Sequence, residues 1–241
     1  WYNSTSATVK YFAVLPAAWS TGGNLGTARN SLGGAGTQTA ALGFGGSPAS
    51  NLTEEYNGSS WTAGGNLGTA RRLQGVLGLQ TAALSFGGIP TTTATEEYNG
   101  SSWTAGGTMA SPRYYIAGCG TQTAGLAFGG ASPASNLTEE YNGTSWTNGG
   151  TLVTARQALA GAGTQTAGLA FGGSVPPYTA ATEQYDGSSW TNTSAMNTAR
   201  NSLAGAGLQP AALAFGGINT DPENATEEFS AGGPATLTVG T

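Results

Sequence analysis

The fold is decided by the stretch from residue 156 to residue 190, which reads RQALAGAGTQTAGLAFGGSVPPYTAATEQYDGSSW. It contains a small-residue run at 159–163, an apolar run at 166–173, a third run at 182–185 and an Asp-Gly pair that leads to Trp190. Asn-Gly and Asp-Gly pairs favour a two-residue hairpin turn, because both residues must adopt positive φ. The stretch therefore predicts four antiparallel strands.

Three sequence markers repeat in register along the chain, each in steps of 42, 42, 43 and 44 residues. They are Trp at 19, 61, 103, 146 and 190, Phe-Gly-Gly opening at 44, 86, 128, 171 and 215, and Arg at 29, 71, 113, 156 and 200. A period in the low forties is typical of a four-stranded propeller blade or of a paired-helix repeat. The many Gly, Thr and Asn-Gly positions exclude helices. The sequence predicts an all-β protein, a five-bladed β-propeller of four-stranded antiparallel blades.

The order of the markers also predicts how the ring closes. The first marker is the Trp19 strand and the last is a third strand at 225–229. We therefore expect the N-terminal Trp19 strand to join the C-terminal blade. The chain divides into an N-terminal junction segment at 1–18, the propeller at 19–229 and a C-terminal tail at 230–241.

Composition excludes several classes of function. The net charge is −5 and no run of positive residues is present, so binding to a nucleic acid backbone is not expected. No stretch approaches the ~18 consecutive apolar residues of a membrane-spanning helix, so no membrane insertion is predicted. The single cysteine, Cys119, replaces Ala or Leu of other repeats and is predicted to be a small core residue.

Each unit resembles a Kelch repeat, with its Arg, small-residue strand, strand ending in Gly-Gly, Glu-x-Tyr and Trp. The resemblance extends over residues 19–229. It implies that a ligand face is formed by the loops joining fourth to first strands and second to third strands. In this chain those loops are 22–29 and 47–52 with their repeats, and their shortness argues against a deep pocket.

A second resemblance concerns the setting in which the protein works. Residues 1–6, Trp-Tyr-Asn-Ser-Thr-Ser, with Lys10-Tyr11 nearby, are similar to a segment of bacteriophage tail fibres. The repeat Gly-Thr-Gln-Thr-Ala-Gly-Leu-Ala-Phe-Gly-Gly resembles sequences of marine phage structural proteins. This implies a place on the virion surface, with other virion proteins and a cell-surface glycan or protein receptor as partners.

The residue types for catalysis are largely missing. The chain has no His, so the usual general base and the commonest metal ligand are absent, and no Ser-His-Asp or Cys-His set can form. Glu pairs such as Glu96-Glu97 repeat, but adjacent strand residues point to opposite faces. We therefore expect a protein that is not an enzyme, with no catalytic residues, no metal and no cofactor.

The repeated arginines admit two interpretations. In the first, each Arg bridges to one Glu within the ring and holds neighbouring strands in register, leaving the second carboxyl or its substitute Gln184 facing outward. In the second, the arginines form a ring at the channel mouth that captures an anionic ligand. Identical repetition favours the structural interpretation. The residues concerned are Arg29, Arg71, Arg113, Arg156 and Arg200.

Departures from the repeat point to a specific site. Tyr114 and Tyr115 replace the Asn-Ser of other repeats, and Arg72 lies at the corresponding position of its own repeat. Tyr178 and Asp221 lie in loops. Aromatic side chains beside polar groups suit stacking on sugars, although scattered surface tyrosines are common. The leading hypothesis is a non-catalytic virion adhesin or display domain that recognises a glycan. The alternatives are a purely structural virion module, a cellular Kelch-type interaction scaffold, and a lectin with five equivalent sites.

Overall fold

The computed structural model describes residues 20–231, which form β-strands, turns and loops and contain no helix. Nineteen strands follow one another in the order expected from the repeat. They are β1 (Gly33–Thr37), β2 (Ala40–Phe44), β3 (Thr53–Tyr56), β4 (Trp61–Ala63), β5 (Gly75–Leu79), β6 (Ala82–Phe86), β7 (Thr95–Tyr98), β8 (Trp103–Ala105), β9 (Ala117–Thr121), β10 (Ala124–Phe128), β11 (Thr138–Tyr141), β12 (Trp146–Asn148), β13 (Ala160–Gly163), β14 (Gly168–Phe171), β15 (Thr182–Tyr185), β16 (Trp190–Thr193), β17 (Ala204–Leu208), β18 (Ala211–Phe215) and β19 (Thr226–Ser230).

The strands form five antiparallel sheets, and the predicted five-bladed β-propeller is confirmed. Blades 1 to 4 are the sheets β1–β4, β5–β8, β9–β12 and β13–β16, and blade 5 is the sheet β17–β19. Within the described residues blade 5 therefore has three strands. The Trp19 strand that was predicted to complete it, the junction segment 1–18 and residues 232–241 of the tail lie outside the described residues.

The first strand of each blade is the innermost one and packs beside the first strand of the next blade, from β1 to β17. This packing explains why these strands are rich in Gly and Ala. A Cβ added at Gly205 would lie 2.6 Å from the main-chain oxygen of Gly161 in the preceding blade. One added at Gly118 would lie 2.8 Å from the ring of Phe86. The small residues are required by close approach of neighbouring sheets, as the sequence predicted.

Aromatic side chains join one blade to the next. In blades 1 to 3 the Phe that precedes the Gly-Gly pair packs against the Trp of the following blade, with Phe44 and Trp103 ring centroids 4.7 Å apart. The same pair recurs as Phe86 with Trp146 and as Phe128 with Trp190. Each of these indole Nε1 groups also donates a 2.9 Å hydrogen bond to a Thr hydroxyl of the preceding blade. Because the Phe rings are fully buried, the core lies between blades.

The Asn-Gly pairs do not form two-residue hairpin turns, so that prediction was wrong. Tyr98 pairs with Trp103, so the connection is a four-residue loop, and only Gly100 adopts positive φ, at 91°. The Asn99 Oδ1 accepts hydrogen bonds from the main-chain N–H groups of Ser101 and Ser102, both at 3.0 Å. The Asn side chain thus satisfies the loop backbone while its own main chain keeps negative φ.

We expect two glycines of blade 3 to differ in their tolerance of a Cβ. Gly143 has φ +87°, but its Cβ would make only an ordinary van der Waals contact with Thr123 at 3.4 Å. Gly120 has φ +99°, and its Cβ would lie 2.3 Å from the Ala124 oxygen. Gly143→Ala should cost about 1 kcal/mol of stability for conformation alone, and Gly120→Ala about 2 kcal/mol more. Urea unfolding of both variants measures this, and equal losses would contradict the explanation.

Candidate functional site

The two sets of loops that were predicted to form the ligand face do lie together. The Arg71 N–H donates to the Ser50 oxygen at 3.0 Å, and the Leu67 N–H donates to the Asn51 oxygen at 2.8 Å. The corresponding contacts recur in later blades, for example from Leu152 to Asn136. We call this end of the molecule, formed by the fourth-to-first and second-to-third loops, the loop face.

The centre of the loop face is a chain of backbone hydrogen bonds around the axis, just before the inner strands begin. The N–H of Leu73 donates to Ser31, that of Tyr115 to Leu73, that of Ala158 to Tyr115 and that of Ser202 to Ala158, at 2.8 to 3.2 Å. All five residues have φ between 51° and 55°, a conformation that residues other than Gly rarely adopt. We call these five residues, each with the residue before it, the mouth ring.

Three predicted site residues, Arg72, Tyr114 and Tyr115, belong to the mouth ring at the adjacent blades 2 and 3. Tyr115 is exposed, half-buried Tyr114 pairs through its main chain with Ala131, and the two tyrosine rings are 5.5 Å apart. Arg72 is half-buried, and its Nη1 donates a long 3.4 Å hydrogen bond to Ser47 Oγ. Within residues 20–231 it is the one Arg or Lys without a carboxylate within 4.0 Å.

The other two predicted residues lie elsewhere on the loop face. Tyr178 is exposed beside Pro176 and Pro177, in a shallow concavity that Asn219 and Thr220 also line. Asp221 is exposed, and its main-chain oxygen accepts a 3.1 Å hydrogen bond from the Asn219 N–H. This concavity belongs to blades 4 and 5. The structure therefore brings Tyr178 close to the loop of Asp221, but it does not bring either to the tyrosines of blade 3.

The five repeated arginines are part of the interior. Each forms an ion pair with the first Glu of its own blade, and all five side chains are almost completely buried. In blade 3 the Arg113 Nη2 lies 2.6 Å from Glu139 Oε1, while its Nη1 donates to the main-chain oxygens of Gly129 and Leu137 at 2.6 and 2.9 Å. Burial lowers the pKa of Arg113, and the charge of Glu139 opposes that shift.

The second oxygen of each paired carboxylate holds the linker that leads into the blade. Glu139 Oε2 accepts a 2.7 Å hydrogen bond from the Ala110 N–H. The pair therefore ties three segments together, namely the linker, the second-to-third loop and the third strand. The proposed bridge from Arg to Glu within the ring is confirmed. Capture of an anion by these five arginines stays a prediction, and it would require a ligand to displace a buried carboxylate.

In blades 1 to 3 the second Glu of the pair does not face outward, contrary to the expectation, whereas Glu228 of blade 5 is exposed. Glu140 Oε1 accepts a 2.6 Å hydrogen bond from the Tyr185 hydroxyl of the next blade, and Glu97 and Glu55 accept from Tyr141 and Tyr98 in the same way. The two carboxylates of a pair do point to opposite faces, but in blades 1 to 3 the second one binds the neighbouring blade. Sequence reasoning missed this contact, although the Tyr that follows every Glu pair except the last was its signal.

The chain has one thiol, that of Cys119. Cys119 is buried as predicted, and burial raises its pKa to about 12, so its thiol is a poor nucleophile. Residues 20–231 contain no group of three or more His, Cys, Asp or Glu side chains that could hold a metal ion. In the same part of the chain no helix is long and apolar enough to cross a membrane.

Comparison with known proteins does not assign the chain to a family. No protein-family model matches it, and no curated protein is significantly similar to it in sequence. The resemblance to Kelch repeats and to phage structural proteins therefore stays a prediction from the sequence.

Arg113→Met should lower the free energy of unfolding by about 3–5 kcal/mol, because it leaves the buried Glu139 carboxylate without a partner. The double variant Arg113→Met/Glu139→Leu should recover part of that loss. Arg72→Met, which removes an arginine without an ion pair, is the matched control and should change stability by less than about 0.5 kcal/mol. Denaturant unfolding measures all three, and an unchanged free energy of unfolding for Arg113→Met would refute the structural role.

Stability should also fall at alkaline pH. Burial and the hydrogen bonds to Glu97 and Glu140 raise the pKa values of Tyr141 and Tyr185 to about 12, above the ordinary value near 10. A raised pKa in the folded state gives stability that is complete below about pH 10 and is lost as the pH rises towards 12. Tyr141→Phe should flatten this decline, whereas exposed Tyr178→Phe should not. Melting temperatures between pH 9 and 12 provide the measurement.

Proposed function

We propose that the protein is a non-catalytic binding domain whose loop face recognises a cell-surface glycan. The fold supports a binding role, since the β-propeller commonly serves as a binding or interaction scaffold. The finer part needs a site, because function is carried by particular residues and not by a fold.

The observation that carries the proposal is the grouping of Arg72, Tyr114 and Tyr115 in the mouth ring. Other blades have Asn, Gln, Ser, Ala or Leu at these positions, although the same backbone hydrogen bonds recur from blade 1 to blade 5. The ring architecture therefore does not need them. Residues that depart from a repeat at exposed positions, on a backbone that is already fixed, are the residues expected to contact a ligand.

The chemistry of this group suits a sugar. The exposed face of Tyr115 offers a flat apolar surface for the C–H groups of a pyranose ring, and its hydroxyl can bind sugar hydroxyls. Arg72 has donors that no carboxylate of residues 20–231 occupies, so it favours a glycan with an acidic or sulfated group. Short loops leave the site shallow, and a shallow site suits the end or side of a glycan chain.

The setting is proposed from sequence resemblance. We place the domain on a phage virion, in a tail fibre or appendage, where many copies would turn weak single-site contacts into useful avidity. The absence of His and the occupation of the paired carboxylates by Arg and Tyr support a role without catalysis. The alternatives are a purely structural virion module and a protein receptor as the ligand. The following experiment distinguishes them from glycan binding.

A glycan array followed by calorimetry tests the proposal with variants that restore the residues of other blades. Arg72→Gln, Tyr114→Asn and Tyr115→Ala copy Gln157, Asn201 and Ala158, the last of which has the same φ of 51° as Tyr115. Each should weaken glycan binding at least about tenfold, because stacking or an ionic contact is lost, without lowering the melting temperature.

Tyr178→Ala, an exposed tyrosine outside the mouth ring, is the control and should bind as the parent protein does. The site also predicts one ligand per chain, since only blades 2 and 3 carry the cluster. No sugar binding on the array would favour the purely structural module. A stoichiometry near five would instead show equivalent sites in every blade.

A further inference from the structure

The concavity beside Tyr178 is a second feature of the loop face. It lies between the second-to-third loops of blades 4 and 5 and has a volume of about 540 Å³. Exposed Pro176 and Pro177 border it together with Tyr178, and Asn219 and Thr220 line it from blade 5. Of residues 20–231, those that line it include none of the mouth ring. It therefore offers room for a ligand other than the one proposed above.

Two carboxylates follow the blade 5 side of this concavity. Asp221 comes directly after Thr220, its main-chain oxygen accepts the Asn219 N–H, and Glu223 stands two residues further on. Neither carboxylate forms a hydrogen bond or an ion pair within residues 20–231. The other carboxylates of this part of the chain, except that of Glu228, are bound by Arg, by Tyr or by their own loop. The edge of the concavity thus carries negative charge that these residues do not neutralise.

Ser174 adds an acceptor inside the concavity. The residue is only 8% exposed, it belongs to the lining, and its Oγ takes part in no hydrogen bond with another residue of the described part of the chain. A hydroxyl that is more than nine-tenths buried normally has a partner. Its position therefore points to a ligand that donates to it from the concavity.

The chain itself shows which group a serine at this position binds. Ser47 is the equivalent of Ser174 in blade 1, since each directly follows a Phe-Gly-Gly triplet. Its Oγ accepts a 3.4 Å hydrogen bond from the Nη1 of Arg72 in the next blade. Asn201 stands in blade 5 where Arg72 stands in blade 2, and its buried Oδ1 has no partner among residues 20–231. Two acceptors therefore lie where blade 2 supplies a guanidinium.

We infer that this concavity binds the guanidinium of an arginine in an extended segment of a partner protein. The planar group stacks on the ring of Tyr178 and donates to Ser174 Oγ, while Asp221 neutralises its charge. Arginine suits the site better than lysine, because its donors lie in one plane and reach several acceptors at once. Pro176 and Pro177 offer an apolar surface to the residues beside the arginine, which favours a polypeptide over a free small cation.

The two sites of the loop face differ in charge. The mouth ring offers the donors of Arg72, and the concavity offers the carboxylates of Asp221 and Glu223. Opposite charges select different partners, because each site repels a ligand of its own sign. The domain is then attached through blades 4 and 5 while blades 2 and 3 stay open to a receptor. Binding at the concavity does not depend on glycan binding.

NMR titration of the full chain with the blocked tripeptides Ala-Arg-Ala, Ala-Lys-Ala and Ala-citrulline-Ala tests this inference. The Arg peptide should shift the amide signals of Thr179 and Asn219 in a saturable way, with a Kd of about 1–10 mM, since these N–H groups hold the two loops of the concavity. Binding should be at least about fivefold weaker with Lys and absent with citrulline, which keeps the shape of arginine without its charge. No saturable shift with the Arg peptide, or equal binding of either other peptide, would overturn the inference.

Tyr178→Ala and Asp221→Asn are the variants, and Asp186→Asn is the matched control. Both variants change exposed side chains, so each should keep the melting temperature and weaken binding of the Arg peptide at least about fivefold. Asp186→Asn removes the same charge at the opposite end of the molecule, copies Asn142 of blade 3 and should bind as the parent protein does. Binding that persists in both variants, or that falls equally in the control, would contradict the assignment.

Light scattering distinguishes a partner protein from a second copy of this chain, whose Arg72 is the other possible occupant. The parent protein should have the mass of one chain, and Arg72→Gln should bind the Arg peptide unchanged. A multiple mass that Arg72→Gln reduces to that of one chain would overturn the inference in favour of a second copy. Arg72→Gln is expected to weaken glycan binding and Tyr178→Ala is not, so the two proposals can fail separately.

Discussion

The structure depends on one buried ion pair that every blade repeats. A linker without regular structure enters each blade, and its Arg turns inward to meet the first Glu of that blade. The same guanidinium binds two oxygens of the second-to-third loop, and the carboxylate binds an N–H of the linker. Both charges are removed from water, so each is stable only while the other is in place. The pair therefore fixes the linker and the loop as one unit and makes the loop face rigid.

The sequence predicted what repetition determines, namely the number of blades, the small inner strands and the Arg–Glu bridge. It could not predict contacts whose partner lies one blade away, since a repeat does not show whether Tyr141 bonds within its own unit or to Glu97 of the preceding one. The prediction of a two-residue hairpin was wrong for a local reason. The Asn99 side chain accepts a hydrogen bond from the loop backbone, so the loop forms without the second positive φ that a two-residue Asn-Gly turn would need. The sequence indicated the candidate site residues only as departures from the repeat. Which of these residues lie close together could be learned only from the fold.

The separation of structural from ligand-binding residues follows from the same repetition. A contact that must be made between every pair of blades constrains all copies of a residue, so Arg, Glu and Phe recur almost unchanged. The side chains of the mouth ring are free of that constraint, because its contacts use main-chain N–H and C=O groups. Arg72, Tyr114 and Tyr115 could therefore diverge without loss of stability. A propeller of this kind can acquire a binding site by substitution at a few positions while its core stays constant.

The position of this site within the arc of blades also decides how rigid it is. Tyr115 is hydrogen bonded on both sides, to Leu73 through its N–H and to Ala158 through its oxygen, and blades 2 and 3 each pack against two neighbours. Within the described residues the packing of inner strands runs from β1 to β17, so blades 1 and 5 stand at its two ends. The concavity of Tyr178, which blade 5 helps to form, has no such protection, and for this reason the mouth ring at blades 2 and 3 is the better place for a preorganised site.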